Sequence, residues 1–301
     1  MQRNNSHGSR NRSTRSKRRP RNNTDRKVTG KRILTGVVIS ILIACIVYFG
    51  CKLANADAPD PQGTSMSLRE VAEVVMPSDA QRVVKQYEGF TSYFNPERHA
   101  PDCVAWILHR DETDGTSARS NRFWIDADVE GCASTADYTR SGYDRGHLCP
   151  AGEQKWSEAA MHDSFVMTNI CPQKHELNSG AWKTLEEKER IWADRDSILV
   201  IAAGPIYNSP HPERIGATGV AVPDAFFKVL LAPFADEPRA IAFVYPNMKC
   251  QGNMENYATT VDEVERITGI DFFSALPDDV EAEIESSASF KEWNQQKRDK
   301  Q

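Results

Sequence analysis

Eighteen consecutive uncharged residues, Ile33 to Gly50, constrain this chain more than any other stretch. Ile, Val and Leu dominate the run. A helix rising ~1.5 Å per residue would extend about 27 Å over that length, close to the ~30 Å hydrocarbon core of a bilayer. Lys31 and Arg32 flank one end and Lys52 the other. One transmembrane helix over 33–51 is therefore expected.

Charge divides at the same place. The 301 residues carry 37 Lys and Arg against 42 Asp and Glu, a net −5. Residues 1–32 hold 12 of the bases and one acid, Asp25, for +11. The remaining 25 bases and 41 acids give −16 to residues 33–301. The arm is rich in Arg, Asn and Ser and nearly free of apolar side chains, so it cannot bury enough surface to offset its ordering entropy and reads as disordered. The excess of Lys and Arg before the span puts the arm in the cytoplasm and everything after Lys52 in the periplasm or outside the cell. Nucleic-acid binding by the arm is the alternative reading of the same charge. A transit peptide would be amphipathic, and this arm has no apolar face. Leu42-Ile43-Ala44-Cys45 has the form of a lipobox, but the apolar run continues through Phe49. Ala54-Asn55-Ala56 has the small-x-small form of a signal-peptidase site. The long basic segment ahead of it favours an uncleaved anchor.

Residues 52–80 read as a linker, with turn composition at 56–63 and a short helix over Ser67 to Met76. Residues 81–275 are long enough for one well-cored domain, and 276–301 form an acidic tail. Strands are expected at Val104–Leu108, Arg122–Ile125, Phe165–Met167, Ile198–Ala202, Phe226–Leu231 and Ala240–Val244. Helices are expected at Gly180–Ala193 and Tyr257–Ile267. Strands come in runs rather than alternating with helices, which favours α+β. The chain has no GxGxxG, no phosphate-binding Walker loop, no CxxC and no HxxxH, so nucleotide cradles and common zinc spacings are absent.

Two segments carry chemistry. The first is Ser141-Gly142-Tyr143-Asp144-Arg145-Gly146-His147-Leu148-Cys149-Pro150. The second begins at Thr168-Asn169-Ile170-Cys171-Pro172-Gln173 and runs through Asn178, Trp182 and Glu186 to Arg190. Neutral imidazole is suited to accept a proton near pH 7. Arginine grips phosphate bidentately. Glu186 and Arg190 are four apart on the expected helix and share a face. Asn178 precedes Glu186 by eight residues, so it can look toward the same side from the helix start. An amide oxygen and a carboxylate make a hard, oxygen-only set suited to Mg²⁺ that keeps most of its waters. Each residue also has a plainer role: His147 as a packed core histidine, Asn178 as a helix cap, Asp144–Arg145 as a local ion pair, Glu186–Arg190 as an exposed helix pair.

The joint order of Asp144-Arg145-Gly146-His147-x-x-Pro150, Thr168-Asn169-Ile170-x-Pro172-Gln173 and Leu177-Asn178-x-Gly180-x-Trp182-x-x-Leu185-Glu186 resembles the DNA/RNA non-specific endonucleases. These are the ββα-metal nucleases, a group that includes endonuclease G. The resemblance covers roughly residues 84–275 and takes in Trp106 and Lys228. It implies an α+β fold with a central, mainly antiparallel sheet flanked by helices, here preceded by one transmembrane helix. It implies a Mg²⁺-dependent endonuclease, with Mn²⁺ or another divalent cation as a substitute, cleaving DNA and RNA to 5′-phosphate products. His147 would be the general base and Asn178 the direct metal ligand. Glu186 would hold the metal's waters, Arg145 and Arg190 would neutralise the phosphate, and Asn169 would support the site. Dimers occur in the family, so a homodimer is a further expectation.

A catalytically inactive nucleic-acid-binding or interaction module of the same fold, and a phosphodiesterase for another phosphoester, are the alternatives. The chain departs from the family pattern at Gly152-Glu153, where many members carry an acid pair or an Asp. Cys149 and Cys171 leave a disulfide open. Residues 140–190 hold seven bases and eight acids, so the motif-bearing stretch is nearly neutral and the acidity lies elsewhere.

Overall fold

The computed structural model describes residues 67–295. The basic arm, the expected anchor over 33–51 and most of the linker lie outside the described residues. Among the described residues no helix is long and apolar enough to cross a membrane.

The described chain opens with one helical turn, α1 (Leu68–Val71). Ser67 and Glu70 cap each other's backbone in a reciprocal capping box, which sets its start. Strands β1 (Val83–Gln86), β2 (Thr91–Asn95) and β3 (Ala100–His109) follow. A small hairpin comes next, β4 (Asp144–His147) and β5 (Ile170–Gln173), with helix α2 (Glu158–Asp163) between its strands. Helix α3 (Lys183–Asp196) leads into β6 (Ile198–Ile206). The rest is a short ribbon of β7 (Arg214–Ile215) and β8 (Val220–Ala221), then β9 (Ala225–Ala232), β10 (Arg239–Pro246), β11 (Ala258–Thr259), α4 (Val261–Thr268), α5 (Asp278–Glu285) and α6 (Phe290–Trp293).

Seven strands form one antiparallel sheet in the order β1-β2-β3-β6-β9-β10-β11. The expected α+β class and its antiparallel sheet are what the chain adopts. Alternation along the central strands sends side chains to two apolar layers. On one face Trp106, Ile201, Phe226, Leu230 and Phe243 pack with Leu185 and Trp192 of α3. On the other, Ala105, Val200, Phe227, Val229 and Ala242 pack with Val261 and Val264 of α4 and Ile284 of α5. Each large side chain sealed this way contributes ~1.5–3 kcal/mol.

Four of the six expected strands fall inside β3, β6, β9 and β10. The other two do not form strands. Residues 122–125 and 165–167 meet in a single bridge, Trp124 to Val166. Phe165 follows directly on α2, and Met167–Asn169 already turns as a 3-10 helix, so neither run has room to extend. The helix expected from Gly180 begins at Lys183, because Gly180 adopts φ −109, ψ −109 and breaks the preceding wide turn. The helix expected from Tyr257 begins at Val261. Thr260 caps it, accepting from the Glu263 amide, and Gly269 ends it at φ 71.

Residues 278–293 add two helices to the body. Trp293 is 1% exposed and its ring sits edge-on to Trp192, 5.1 Å between centroids. Arg195 donates to the carbonyls of Trp293 and Gln295.

Candidate active-site cleft

The hairpin β4–β5 brings the two motif segments together. Asp144 stands opposite Gln173, and His147 opposite Ile170. Gly146 is required by packing, since a Cβ there would collide with the Gln173 side chain. Asn169 is fully buried and clamps the chain after His147. Its Oδ1 accepts from the Cys149 amide at 2.9 Å, and its Nδ2 donates to the carbonyls of Cys149 and Ser164. Trp182 Nε1 donates to the His147 carbonyl at 3.2 Å, tying the hairpin to the start of α3.

The cleft built on this hairpin has a volume of about 360 Å³. His147, Arg145, Asn178, Glu186 and Arg190 all line it. Five of the six expected site residues therefore share one wall, and the sixth, Asn169, lies beneath. A second depression of about 330 Å³ adjoins it, shares Phe123, Arg145 and Asn178, and adds Tyr138, Tyr143 and Asp144.

Asn178 does not cap α3. It lies in the wide turn Leu177–Trp182, before the break at Gly180. Its Nδ2 donates to Asp144 Oδ2 at 2.9 Å, and His175 Nδ1 reaches the same oxygen at 2.8 Å. Asp144 is thus engaged with the second segment and not with its neighbour Arg145. The amide nitrogen is occupied, so the Asn178 oxygen is left as the acceptor.

His147 is held between Phe123 and Phe165, with ring centroids 5.5 and 4.9 Å away. Burial, reinforced by the charges of Arg119 and Arg145, holds its pKa down to about 3. Its Nε2 is sealed from solvent without a partner, so the ring nitrogen that can meet a water is Nδ1. Arg145 lies over the Phe123 ring at 4.6 Å and Arg119 over the Phe165 ring at 5.1 Å. The aromatic pair thus carries the guanidiniums on one side and the imidazole on another.

Behind the cleft is a buried charge cluster. Lys228 of β9 is completely buried and donates to Glu189 Oε2 at 3.1 Å. Its ammonium also lies 4.4 Å from the Trp182 ring centre and 5.4 Å from that of Trp106. Burial opposes its charge, but Glu189, Glu186 and Glu153 more than offset this and hold its pKa above the ordinary lysine range. Glu153 takes a hydrogen bond from Trp106 Nε1 at 2.8 Å and lies 3.9 Å from Arg190. Gly152 leaves room for that arginine, since a Cβ there would come within 3.1 Å of its guanidinium. The Gly152-Glu153 departure thus sits against Arg190 and supports it from below.

Glu186 faces the cleft without a hydrogen bond to any described residue. Burial, opposed by Lys228, pushes its pKa up to about 7. A carboxylate that ionises only reluctantly, beside a free amide oxygen, is a donor pair that a hard divalent cation fits. Cys149 and Cys171 are both buried free thiols. The residues that the sequence reading missed are Arg119, Lys183 and Phe123 on the cleft wall, and Asp144 as the partner of Asn178. Arg119 comes from an irregular loop with no periodicity to mark it. One further set of acidic groups close enough to hold a cation occurs among the described residues, Asp262, Glu265 and Glu285. It lies with α4 and α5 on the opposite face of the sheet from α3.

Comparison with known proteins gives a consistent answer. The sequence profile of the DNA/RNA non-specific endonucleases matches residues 69–279. The mitochondrial nuclease EXOG of Xenopus laevis is 32% identical over 212 residues, 65% of this chain and 59% of its own length. Mitochondrial endonuclease G of Bos taurus is 30% identical over 222 residues, 67% of this chain and 72% of its own length. Among solved structures, the EndoG/EndoGI complex superposes with a TM-score of 0.61 at 28% identity, covering 64% of this chain and 86% of that one. The chain spans 59% and 57% of the length of the Xenopus laevis and Mus musculus EXOG nucleases. The profile match covers most of the chain and contains every residue of the cleft. The chain therefore belongs to the DNA/RNA non-specific endonuclease family.

Proposed function

We propose that this chain is a divalent-metal-dependent endonuclease that hydrolyses phosphodiester bonds in both DNA and RNA. The observation that carries the reading is the shared cleft of His147, Asn178 and Glu186 with the guanidiniums of Arg119, Arg145 and Arg190.

His147 takes a proton from a water lying against phosphorus. The water oxygen bonds to phosphorus in line with the departing 3′ oxygen, and that P–O bond breaks. The products carry a 5′ phosphate and a 3′ hydroxyl, the latter taking its proton from solvent. Arg145 and Arg190 neutralise charge on the equatorial oxygens, where preorganised donors contribute most. Asn178 and Glu186 would hold Mg²⁺, Asn178 directly and Glu186 through water. When bound, Mg²⁺ supplies positive charge to the phosphate and the leaving oxygen. An imidazole held down to about 3 is a weak base in the free enzyme. Burial is the larger cause of that low value, and an arriving phosphate would offset only the lesser part that Arg119 and Arg145 contribute. Contacts to phosphate carry no base identity, which fits action on both nucleic acids.

Incubation of supercoiled plasmid and of RNA with the purified protein tests the reading. Cleavage of both with Mg²⁺, stopped by chelator, is expected. Cleavage unaffected by chelator would contradict it. We further propose single-pass attachment through residues 33–51, with the arm cytoplasmic and the nuclease body periplasmic or extracellular. The support is the apolar run and the +11 arm that precedes it. A reporter fused after Gln301 that is active only in the cytoplasm would overturn that orientation.

A further inference from the structure

We infer that Asp262, Glu265 and Glu285 form a second divalent-cation site, separate from the cleft and suited to Ca²⁺. One carboxylate oxygen from each lies within 4.8 Å of the others. Asp262 and Glu265 are three apart on α4 and so share a face. Glu285 ends α5. Two helices that both pack on the far side of the sheet therefore present one oxygen cluster.

Glu285 is the independent indication of a ligand. It is 4% exposed, and its Oε1 is sealed from solvent with no hydrogen-bond partner. Buried carboxylates are ordinarily paired or coordinate a metal. No base supplies the pairing here. Arg266, the base on α4, is committed to Glu263 through two bonds of 2.7 Å. Helix α5 has the sequence Asp-Asp-Val-Glu-Ala-Glu-Ile-Glu and carries no base of its own. Burial, reinforced by the carboxylates of Glu265, Glu281, Asp262 and Asp271, pushes the pKa of Glu285 up to about 9, so a cation is what would hold it ionised near neutral pH. None of the three cluster residues forms an ion pair among the described residues.

The geometry is also partly prearranged. Glu265 Oε1 accepts from the Phe272 amide at 2.7 Å, which fixes its carboxylate. Asp262 is exposed, so an ion would have an entry path and room for water ligands. Opposite oxygens around Ca²⁺ stand roughly 4.6–5.2 Å apart, against about 4.0–4.2 Å around Mg²⁺. The three oxygens lie within 4.8 Å of one another, so one Ca²⁺ can reach all three. Calcium also tolerates irregular ligand sets, whereas Mg²⁺ gives up its waters reluctantly to a buried carboxylate. A bound ion would join α5 to α4. It would thereby steady the C-terminal segment whose Trp293 packs on Trp192 of the cleft-bearing helix α3.

The test is thermal melting of the chelator-treated full chain against added Ca²⁺, with Mg²⁺ in parallel. Calcium at a hundredfold excess over Kd is expected to raise Tm by about 5–10 °C. Glu285→Gln removes the buried ligand oxygen that an ion would hold, so it should lose the response to Ca²⁺. Asp262→Asn is an exposed change that leaves the fold intact, and it should weaken the response at least ~tenfold. Asn178→Ala should keep the full response, which separates this site from the cleft. The proposal is overturned by no shift at millimolar Ca²⁺, by equal shifts in parent and both acidic variants, or by a shift lost in Asn178→Ala. A larger shift with Mg²⁺ than with Ca²⁺ would overturn the calcium assignment.

Discussion

The Asn178 side-chain amide donates to Asp144 Oδ2 at 2.9 Å, linking the two motif segments. This bond orients the Asn178 oxygen. Outer partners of this kind typically change metal affinity 10–100-fold when removed. Asp144→Ala should therefore raise the Mg²⁺ concentration needed for half-maximal cleavage by about that factor. The rate at saturating Mg²⁺ should fall much less. His175→Ala removes the second, more exposed donor to the same oxygen and should have a smaller effect. A Mg²⁺ titration of cleavage rate on the three proteins decides this. An unchanged midpoint in Asp144→Ala would contradict it.

His147 gives a pH signature. Its folded value of about 3 lies below the ordinary 6.5. The unfolded chain therefore takes up a proton first as pH falls. The stability attached to this group is fully present above pH 6.5 and is lost as pH drops toward 3. His147→Phe should remove that part of the acid sensitivity. Denaturant melts of both proteins across this range measure it. Parallel losses in the two would show that other groups carry the acid limb.

The Lys228–Glu189 pair is sealed behind the cleft, both side chains at zero exposure. Breaking a buried pair from one side leaves an uncompensated charge and costs ~3–5 kcal/mol. Lys228→Met should be destabilised by about that much. Lys228→Met with Glu189→Gln should recover part of it, because the acid bonded to Lys228 is then neutral. Chemical denaturation of the single and double variants gives the coupling directly.

Four basic side chains, Arg119, Arg145, Lys183 and Arg190, line the cleft. Nucleic-acid affinity built from a few phosphate contacts falls steeply with salt, with a slope near −0.9 per neutralised phosphate on duplex DNA. Raising salt from low to physiological strength should lower kcat/KM severalfold. Cleavage indifferent to salt over that range would contradict an electrostatic mode of binding.

Trp293 anchors α6 at 1% exposure between Trp192 and the sheet. Trp293→Ala should cost ~3–5 kcal/mol, as for other buried aromatics truncated in a core. Thermal melting checks it, and a loss within ordinary surface-substitution range would mean the segment is loosely attached.

Much of this molecule was legible from residue patterns alone. The four longest strands announce themselves as β-branched or aromatic runs bounded by turn residues. The residues that line the cleft were legible through the resemblance of the two motif segments, which the hairpin β4–β5 brings together; their roles belong to the proposed function. What was not legible depends on contacts between distant segments. Arg119 and Phe123 reach the cleft through an irregular loop with no period. Gly180 moves the start of α3 by a backbone choice that the helical composition around it conceals. Lys228 is marked in the sequence only as a match to the family, and the fold alone supplies the acids and indole rings that surround it. The run Asp278–Glu285 is so acidic that it reads as a solvated tail, yet Ile284 and Glu285 are buried.

The central claim is that His147 activates water for attack on phosphorus. The most direct measurement is the single-turnover rate of plasmid cleavage at saturating Mg²⁺ for the parent and for His147→Ala, with circular dichroism confirming that both are folded. General-base removal predicts a loss of at least ~10²-fold with the fold intact. Near-parental cleavage by folded His147→Ala would contradict the account.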